Sequence, residues 1–354
     1  MTQDGSGPTP DPEDRAPLPS AAAVVDDVER GAALEPSRLR ALSDPSDDTL
    51  RRVMAMWPRV PAERRRELLA ALERLSEEDA TLDFHRLALT ALRDADPATR
   101  ILAVRALQNE DRPEYMRLLL SLLREDQVPG VRMEITNVLA TFVVAAELGM
   151  IPEEDAETLA ATLRDVIEDI EEPDEVRGSA LEALGAFSDE ATAELISEQY
   201  EVGSHRMRVA ALRAMGRSAS EGWLEVLIYH FDDDDAEIRA VSAEAAGALL
   251  VDEAVPPLIM LAQEDKDEDV QIAAILALGE IGNDEAERVL SRWLSERRDP
   301  QIQEAIREAL AEVQLLTGEF VDDGRETPDF GADFGAGLGA DLDDGEFDGR
   351  DDRN

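Results

Sequence analysis

The sequence predicts an all-α solenoid, an α-α superhelix of about eight helical hairpins, on three observations. Apolar residues make up 44% of the 354-residue chain and aromatic residues only 4%, so Ala, Leu, Val and Ile must build the core. Ala and Leu favour helices, and the alternating β-branched or aromatic runs that are typical of strands are missing. A pattern of about 31 residues recurs along the chain, and each copy holds two amphipathic helical stretches.

The N-terminal region is predicted to precede the repeats. Residues 1–19 are rich in Pro, Gly, Ser and Asp, so we predict a disordered tail, followed by a helical cap over residues 20–43. The tail lacks the basic start and apolar stretch of a secretory signal, and no run of about 18 apolar residues occurs. With no Cys in the chain, these features favour a soluble, cytoplasmic protein without membrane contact.

The repeats are predicted to occupy residues 44–316. They are clearest where a Gly follows an Arg or Gln by eight residues, with spacings between copies of 31, 31 and 32 residues. These copies begin at Arg177, Arg208, Arg239 and Gln271, and weaker copies begin at Arg64, Arg100, Arg132 and Gln303. One hairpin cannot bury its apolar stripe alone, so we expect neighbouring hairpins to stack into one continuous core.

The turns before the second helices pair Asp with Pro, which suits an N-cap and the first helical position. These pairs are Asp96-Pro97, Pro173-Asp174 and Asp299-Pro300. They predict where the second helix of each hairpin begins.

One spacing, the 45 residues from Arg132 to Arg177, exceeds the others. About 14 extra residues lie around 141–155, where the sequence predicts an extended second helix, a stop at Gly149 and a restart at Pro152. The insertion either changes the curvature of the stack or shapes a binding groove.

Residues 317–354 are predicted to form a second disordered tail, acidic and rich in Gly and Asp. From Gly318 to Asn354 there are 13 acidic residues and 3 Arg. Phe320, Phe330, Phe334 and Phe347 recur through it. The tail either solubilises the protein or docks into a basic, apolar groove of a partner.

The formal net charge of −46 makes nucleic acid an unfavourable partner, because 81 acidic residues face 35 basic ones. The excess reflects solubility, adaptation to high salt or attraction of a basic partner. Lys266 is the only lysine, and an arginine-based positive charge favours geometrically fixed ion pairs.

The segment DEDVQIAAILALGEIG at residues 267–282 closely resembles the HEAT repeat family, in particular the phycobilisome-lyase-type HEAT-like repeats. The resemblance implies that the second helices line a concave face and that the recurrent Arg pairs with a turn Asp in a ladder between repeats. The implied ladder residues are Arg100, Arg132, Arg177, Arg208 and Arg239, with acceptors such as Asp96, Asp174 and Asp235. Gln271 and Gln303 replace Arg, so the ladder is expected to weaken toward the C-terminus.

Five residues beyond each ladder position, off the apolar stripe, a second set is predicted to face a partner. These residues are Arg105, Asn137, Glu182, Arg213 and Glu244. Their mixed charge suits a protein or peptide better than a nucleic acid. We therefore predict a monomeric, non-enzymatic scaffold or adaptor that binds a protein on its concave face and carries no cofactor.

Two alternatives stay open beside the scaffold. An enzyme subunit such as a phycobilin lyase-like protein is suggested by the repeat resemblance alone. A HEAT protein that binds DNA lesions would need a basic concave face with aromatic residues, whereas Trp57, Trp223 and Trp293 are dispersed and the charge is negative.

Several motifs resemble known sites without completing them. His85, His205 and His230 lie far apart outside any His-Glu pair, so we predict no metal site and assign them to the surface or to helix ends. The run of Asp265, Asp267 and Asp269 lacks the Gly and the Glu of a calcium loop. The glycines from Gly335 to Gly339 follow no strand, so they do not form a dinucleotide site.

Overall fold

The computed structural model describes residues 19–218, 220–297 and 299–317. Both predicted tails lie outside these residues, apart from positions 19 and 317 at their inner ends. The described residues form eighteen α-helices, several short 3₁₀ turns and no β-strand, which confirms the all-α prediction.

The first nine helices are α1 (Ala21–Glu29), α2 (Pro36–Leu39), α3 (Asp47–Met56), α4 (Ala62–Glu78), α5 (His85–Leu89), α6 (Pro97–Arg105), α7 (Pro113–Glu125), α8 (Pro129–Glu147) and α9 (Glu153–Glu168). The others are α10 (Asp174–Leu184), α11 (Glu190–Val202), α12 (His205–Arg217), α13 (Leu224–Tyr229), α14 (Ala236–Ala248), α15 (Val255–Glu264), α16 (Glu268–Ile281), α17 (Asp284–Glu296) and α18 (Pro300–Thr317). From α3 to α18 they form eight consecutive hairpins, as the repeat spacing predicts.

The hairpins stack into two layers around one continuous core. The even-numbered helices from α4 to α18 lie side by side in chain order, and the odd-numbered helices form the other layer. Neighbours approach more closely in the even-numbered layer. The stack therefore curves toward that layer, which forms the concave side.

Four glycines allow this close approach within the even-numbered layer. A Cβ added to Gly216 would lie 2.7 Å from the Cα of Ala245, and one added to Gly279 would lie 2.6 Å from the Cα of Ala309. The glycine row consists of Gly185, Gly216, Gly247 and Gly279, each against an alanine of the next even helix. Any side chain at these positions would force the helices apart.

The predicted turn residues begin their helices as expected. Asp96 caps α6 by accepting a hydrogen bond from Thr99 N at 3.0 Å, and α6 begins at Pro97. Asp174 opens α10 and Pro300 opens α18.

The insertion also has the predicted form. The second helix of its hairpin, α8, runs for 19 residues, and Gly149 follows it in the left-handed conformation (φ +68°). Pro152 then precedes α9. Arg117 on α7 donates two hydrogen bonds, of 2.8 and 2.6 Å, to Asp155 on α9.

Within the described residues, no helix combines the length and the apolar composition that a bilayer span requires.

Candidate functional site

The ladder positions join each repeat to its own turn through a backbone contact. The Nη1 atoms of Arg100, Arg132 and Arg239 each donate to the carbonyl oxygen six residues earlier, at 2.8 Å. The Nε2 atoms of Gln271 and Gln303 make the same contact at 2.7 and 2.8 Å. This shared contact explains why a long side chain with an N–H donor recurs at this position.

A second contact joins one repeat to the next. Arg100 donates from Nε and Nη2 to the Asp126 carboxylate at 2.7 and 2.9 Å, and Arg239 does the same to Asp265 at 2.7 and 3.0 Å. Arg132 reaches Glu172 at 2.5 Å. Asp126 thus accepts from the preceding repeat through its carboxylate and from its own repeat through its carbonyl.

Of the three predicted acceptors, Asp174 does pair with a ladder arginine, Arg177, whereas Asp96 and Asp235 do not. Asp96 caps its own helix and pairs with Arg66, and Asp235 pairs with His205. The guanidinium groups of Arg100 and Arg239 instead extend forward to the turn of the next repeat.

The two remaining ladder arginines depart from the pattern. Arg177 pairs with Asp174 three residues earlier and donates to Ile167 O, so it stays within its own hairpin. Arg208 makes no ion pair with any residue that the structure describes. At the C-terminal end the contact between repeats runs the other way: the ladder residue Gln271 accepts, through Oε1, a hydrogen bond from Arg297 at 3.1 Å.

The ladder arginines lower the pKa of the carboxyl groups that accept their hydrogen bonds. Burial acts to raise the pKa of Asp126, but hydrogen bonds from Arg100 and from Val128 N outweigh it and the pKa is lowered. The pKa of Asp265 is lowered in the same way, against burial, by Arg239 and by Asp267 N. Both carboxylates are thereby held ionised.

The second predicted set lies at one position on five consecutive even helices. We call Arg105, Asn137, Glu182, Arg213 and Glu244 the inner row; Glu182 is half-buried and the other four are exposed. Arg105 donates to both oxygens of Glu134 at 3.0 and 3.2 Å. Arg213 lies 3.5 Å from Glu182, and Asn137 accepts from Ser179 Oγ at 2.6 Å.

Beyond Arg213 the face is acidic. Partial desolvation by the surrounding protein, followed by the like charge of Glu182, raises the pKa of Glu244 against the attraction of Arg213. Partial desolvation, followed by Glu244 and Glu312, raises the pKa of Glu280. Sequence reasoning missed Glu134 and Glu280, although the three-residue step from Glu134 to Asn137 on one helix indicates a shared face.

The three histidines all stand at helix ends, and two are buried. Only His205 is exposed, whereas His85 and His230 are 7% and 5% exposed. His230 Nδ1 donates to Asp233 at 3.1 Å and Nε2 lies 2.7 Å from Tyr200 Oη, so the ring joins α11 to the turn before α14.

His85 stands between Asp83 and Glu110, a grouping with the ligand types of a metal site. Nδ1 contacts Asp83 Oδ1 and lies 3.1 Å from Glu110, while Nε2 lies 2.9 Å from Arg112 Nη2. A guanidinium only donates, so Nε2 is the acceptor and Nδ1 carries the proton. A metal on Nδ1 would leave Nε2–H facing this guanidinium instead of the acceptor it needs, so the arrangement does not fit a metal.

A family model described as HEAT repeats matches residues 160–247 and 224–311 of this chain. Residues 160–311 match HEAT repeats. The matched ranges overlap and include Arg177, Arg208, Arg239 and Gln271, whose regular spacing defines the repeat. No curated protein sequence matches the chain.

Three solved structures show a distant likeness to this chain. An engineered protein is 18% identical, with 83% of this chain and 90% of that chain covered and a TM-score of 0.36. Escherichia coli YibA is 15% identical (85% and 98% covered, TM-score 0.41). Human deoxyhypusine hydroxylase in complex with glycerol is 20% identical (74% and 96% covered, TM-score 0.31). At these values none of them informs the site or the function of this chain.

Proposed function

We propose that this HEAT-repeat protein is a scaffold or adaptor that holds a protein partner along its concave face. The inner row carries the proposal, because it presents polar and charged side chains at one position on five consecutive helices. A continuous surface of this kind suits an extended or helical partner segment.

The charge along the face indicates how the partner lies. Arg105 and Arg213 are each flanked by a glutamate, at Glu134 and Glu182. Farther along the described face, Glu280 has only acidic neighbours, Glu244 and Glu312. A partner with mixed charge at one end and basic residues at the other end would match this order. A cytoplasmic location and a monomeric state belong to the same proposal.

The test is a pull-down with a charge-reversed concave face. A variant with Arg105→Glu, Arg213→Glu and Glu244→Arg should lose most of the partner that the wild-type chain recovers, because like charges then oppose it. The matched control is Arg288→Glu, Arg292→Glu and Glu194→Arg, on α17 and α11 of the convex layer, with the same net change. Equal recovery by both variants would remove the inner row as the binding surface.

A further inference from the structure

The concave side has a cavity of about 470 Å³ at the N-terminal end of the repeats. It lies between the C-terminal half of α4, the segment that joins α4 to α5, and the residues that follow α6. Its origin is the early end of α6 at Arg105. The residues that follow Arg105, among them Gln108, line the cavity instead of continuing α6 alongside α4.

The base of this α4–α6 pocket is apolar. Leu69, Leu72, Phe84 and Ala88 line it, and each is at most 5% exposed. These side chains belong to the continuous core, so the base is fixed by packing. Such a surface favours methylene or other apolar groups.

The rim of the pocket is acidic. Its carboxylates are Glu73, Glu77, Asp83 and Glu110, and its basic side chains are Arg105 and His85. With histidine counted as neutral, the four carboxylates face one formal positive charge, that of Arg105. The rim therefore carries a net formal charge of 1 − 4 = −3.

The arginines near the rim already pair with carboxylates, Arg105 with Glu134 and Arg112 with Glu110, which leaves Glu73, Glu77 and Asp83 without a hydrogen bond from any described arginine. Arg105 donates both of its hydrogen bonds to Glu134, and its Nε stays 3.8 Å from Glu73. Arg112 neutralises Glu110 through contacts of 2.8 and 2.5 Å. Glu77 makes no ion pair with any residue of the described ranges. Burial, followed by Glu77 and Glu134, raises the pKa of Glu73 against the attraction of Arg105.

We propose that the α4–α6 pocket binds a primary ammonium group on an aliphatic chain. The chain would contact Leu69, Leu72 and Phe84, and the ammonium would lie among Glu73, Glu77 and Asp83. An ammonium donates in several directions from one centre, which suits carboxylates on separate elements, whereas a guanidinium needs one carboxylate in line with its planar fork. The group is either the side chain of a lysine in a protein segment or a free aliphatic diamine.

The experiment measures binding to the purified full-length chain by isothermal titration calorimetry at physiological salt. The probes are pentane-1,5-diamine and a short lysine peptide, each with a neutral control: pentan-1-ol and the same peptide with norleucine. We expect one site for at least one of the charged probes and none for its control. Binding of the diamine identifies a free amine as sufficient, and binding of the lysine peptide alone identifies a protein side chain.

Variants separate this pocket from general attraction to an acidic protein. Glu73→Gln with Glu77→Gln should weaken the single site by at least about tenfold. The control is Glu194→Gln with Glu198→Gln, the same i,i+4 pair on the convex helix α11, which should leave the affinity unchanged. Ala106→Phe, which reduces the cavity and keeps every charge, should also weaken binding, with circular dichroism confirming the fold.

Equal affinity in all of these variants, or no saturable binding of either charged probe, would overturn the proposal. No partner protein takes part in the titration, and Glu73 and Glu77 lie outside the inner row. A negative result here therefore leaves the proposed scaffold function untouched, and failure of the pull-down leaves the pocket untouched.

Discussion

Asp126 shows how a single residue joins two repeats. It accepts from Arg100 with both carboxylate oxygens, from Val128 N with Oδ1 and from Arg132 with its carbonyl. Its side chain is only 8% exposed, so the ion pair is poorly screened by solvent. Loss of the carboxylate leaves the Arg100 guanidinium half-buried without its partner.

We predict that Asp126→Ala lowers the free energy of unfolding by about 2–4 kcal/mol, because it removes this ion pair together with the hydrogen bond from Val128 N. Urea denaturation followed by circular dichroism measures the change. Asp48→Ala is the control, since the Asp48 side chain is 68% exposed and its pairs with Arg51 and Arg52 are on the surface. It should cost at most about 1 kcal/mol, and equal costs for both variants would contradict the ladder's role.

The partners of single residues were the features that the sequence could not predict. The recurrence of arginine predicts a ladder, but it does not specify whether each guanidinium turns back to its own turn or forward to the next one. Asp96 and Asp126 look equivalent in the sequence as acceptors, and only the packed structure places Asp126 within reach of Arg100. The burial of His85 and His230 likewise depends on neighbours about thirty residues away, Arg112 and Tyr200.

At the scale of helices, prediction succeeds where local chemistry decides. The eight hairpins follow from the repeat period, and the extended α8 with its end near Gly149 follows from the insertion and its glycine. The short lengths of α5 and α6 were not predicted, because the apolar periodicity continues past their ends. The α4–α6 pocket, which depends on that early end, was missed with them.

The glycine row yields a test at this scale. Gly216→Ala improves intrinsic helix propensity by about 1 kcal/mol, yet its Cβ would lie 2.7 Å from the Cα of Ala245. We predict a net destabilisation of about 1–3 kcal/mol, because backbone has to move.

Gly130→Ala on α8 is the matched control for this substitution, measured by the same urea denaturation. The nearest atom to its added Cβ is Ile101 Cδ1 at 3.8 Å, an ordinary contact. It should therefore be neutral or stabilise the protein by up to about 1 kcal/mol. A stabilising Gly216→Ala would show that the layer is not packed backbone to backbone.

For the whole molecule, titration of the carboxyl groups changes the folding stability in two opposite directions. The folded state raises the pKa of Glu244 and Glu280 above the usual 4.5, so protonation of these groups favours folding as the pH falls from neutral. It lowers the pKa of Asp126 and Asp265 below the usual 3.8, so their contribution is present above that pH and is lost below it. The net charge of −46 adds repulsion at neutral pH.

We therefore predict a stability maximum at about pH 4–5, measured by urea unfolding from about pH 3 to 8. Glu244→Gln with Glu280→Gln should reduce the gain between neutral pH and that maximum. Asp126→Ala should instead reduce the loss below it. A steady fall in stability from neutral pH downward would contradict the raised pKa values of the glutamates.

The glycine row also gives the array an uneven stiffness. Straightening the curve means drawing apart backbones that already touch from Gly185 to Ala309, with no flexible side chain between them to absorb the strain. The glycine row does not extend into the half that contains Gln108. Tension applied to the two ends of the repeat array should therefore extend the N-terminal half first, while the C-terminal half keeps its curvature.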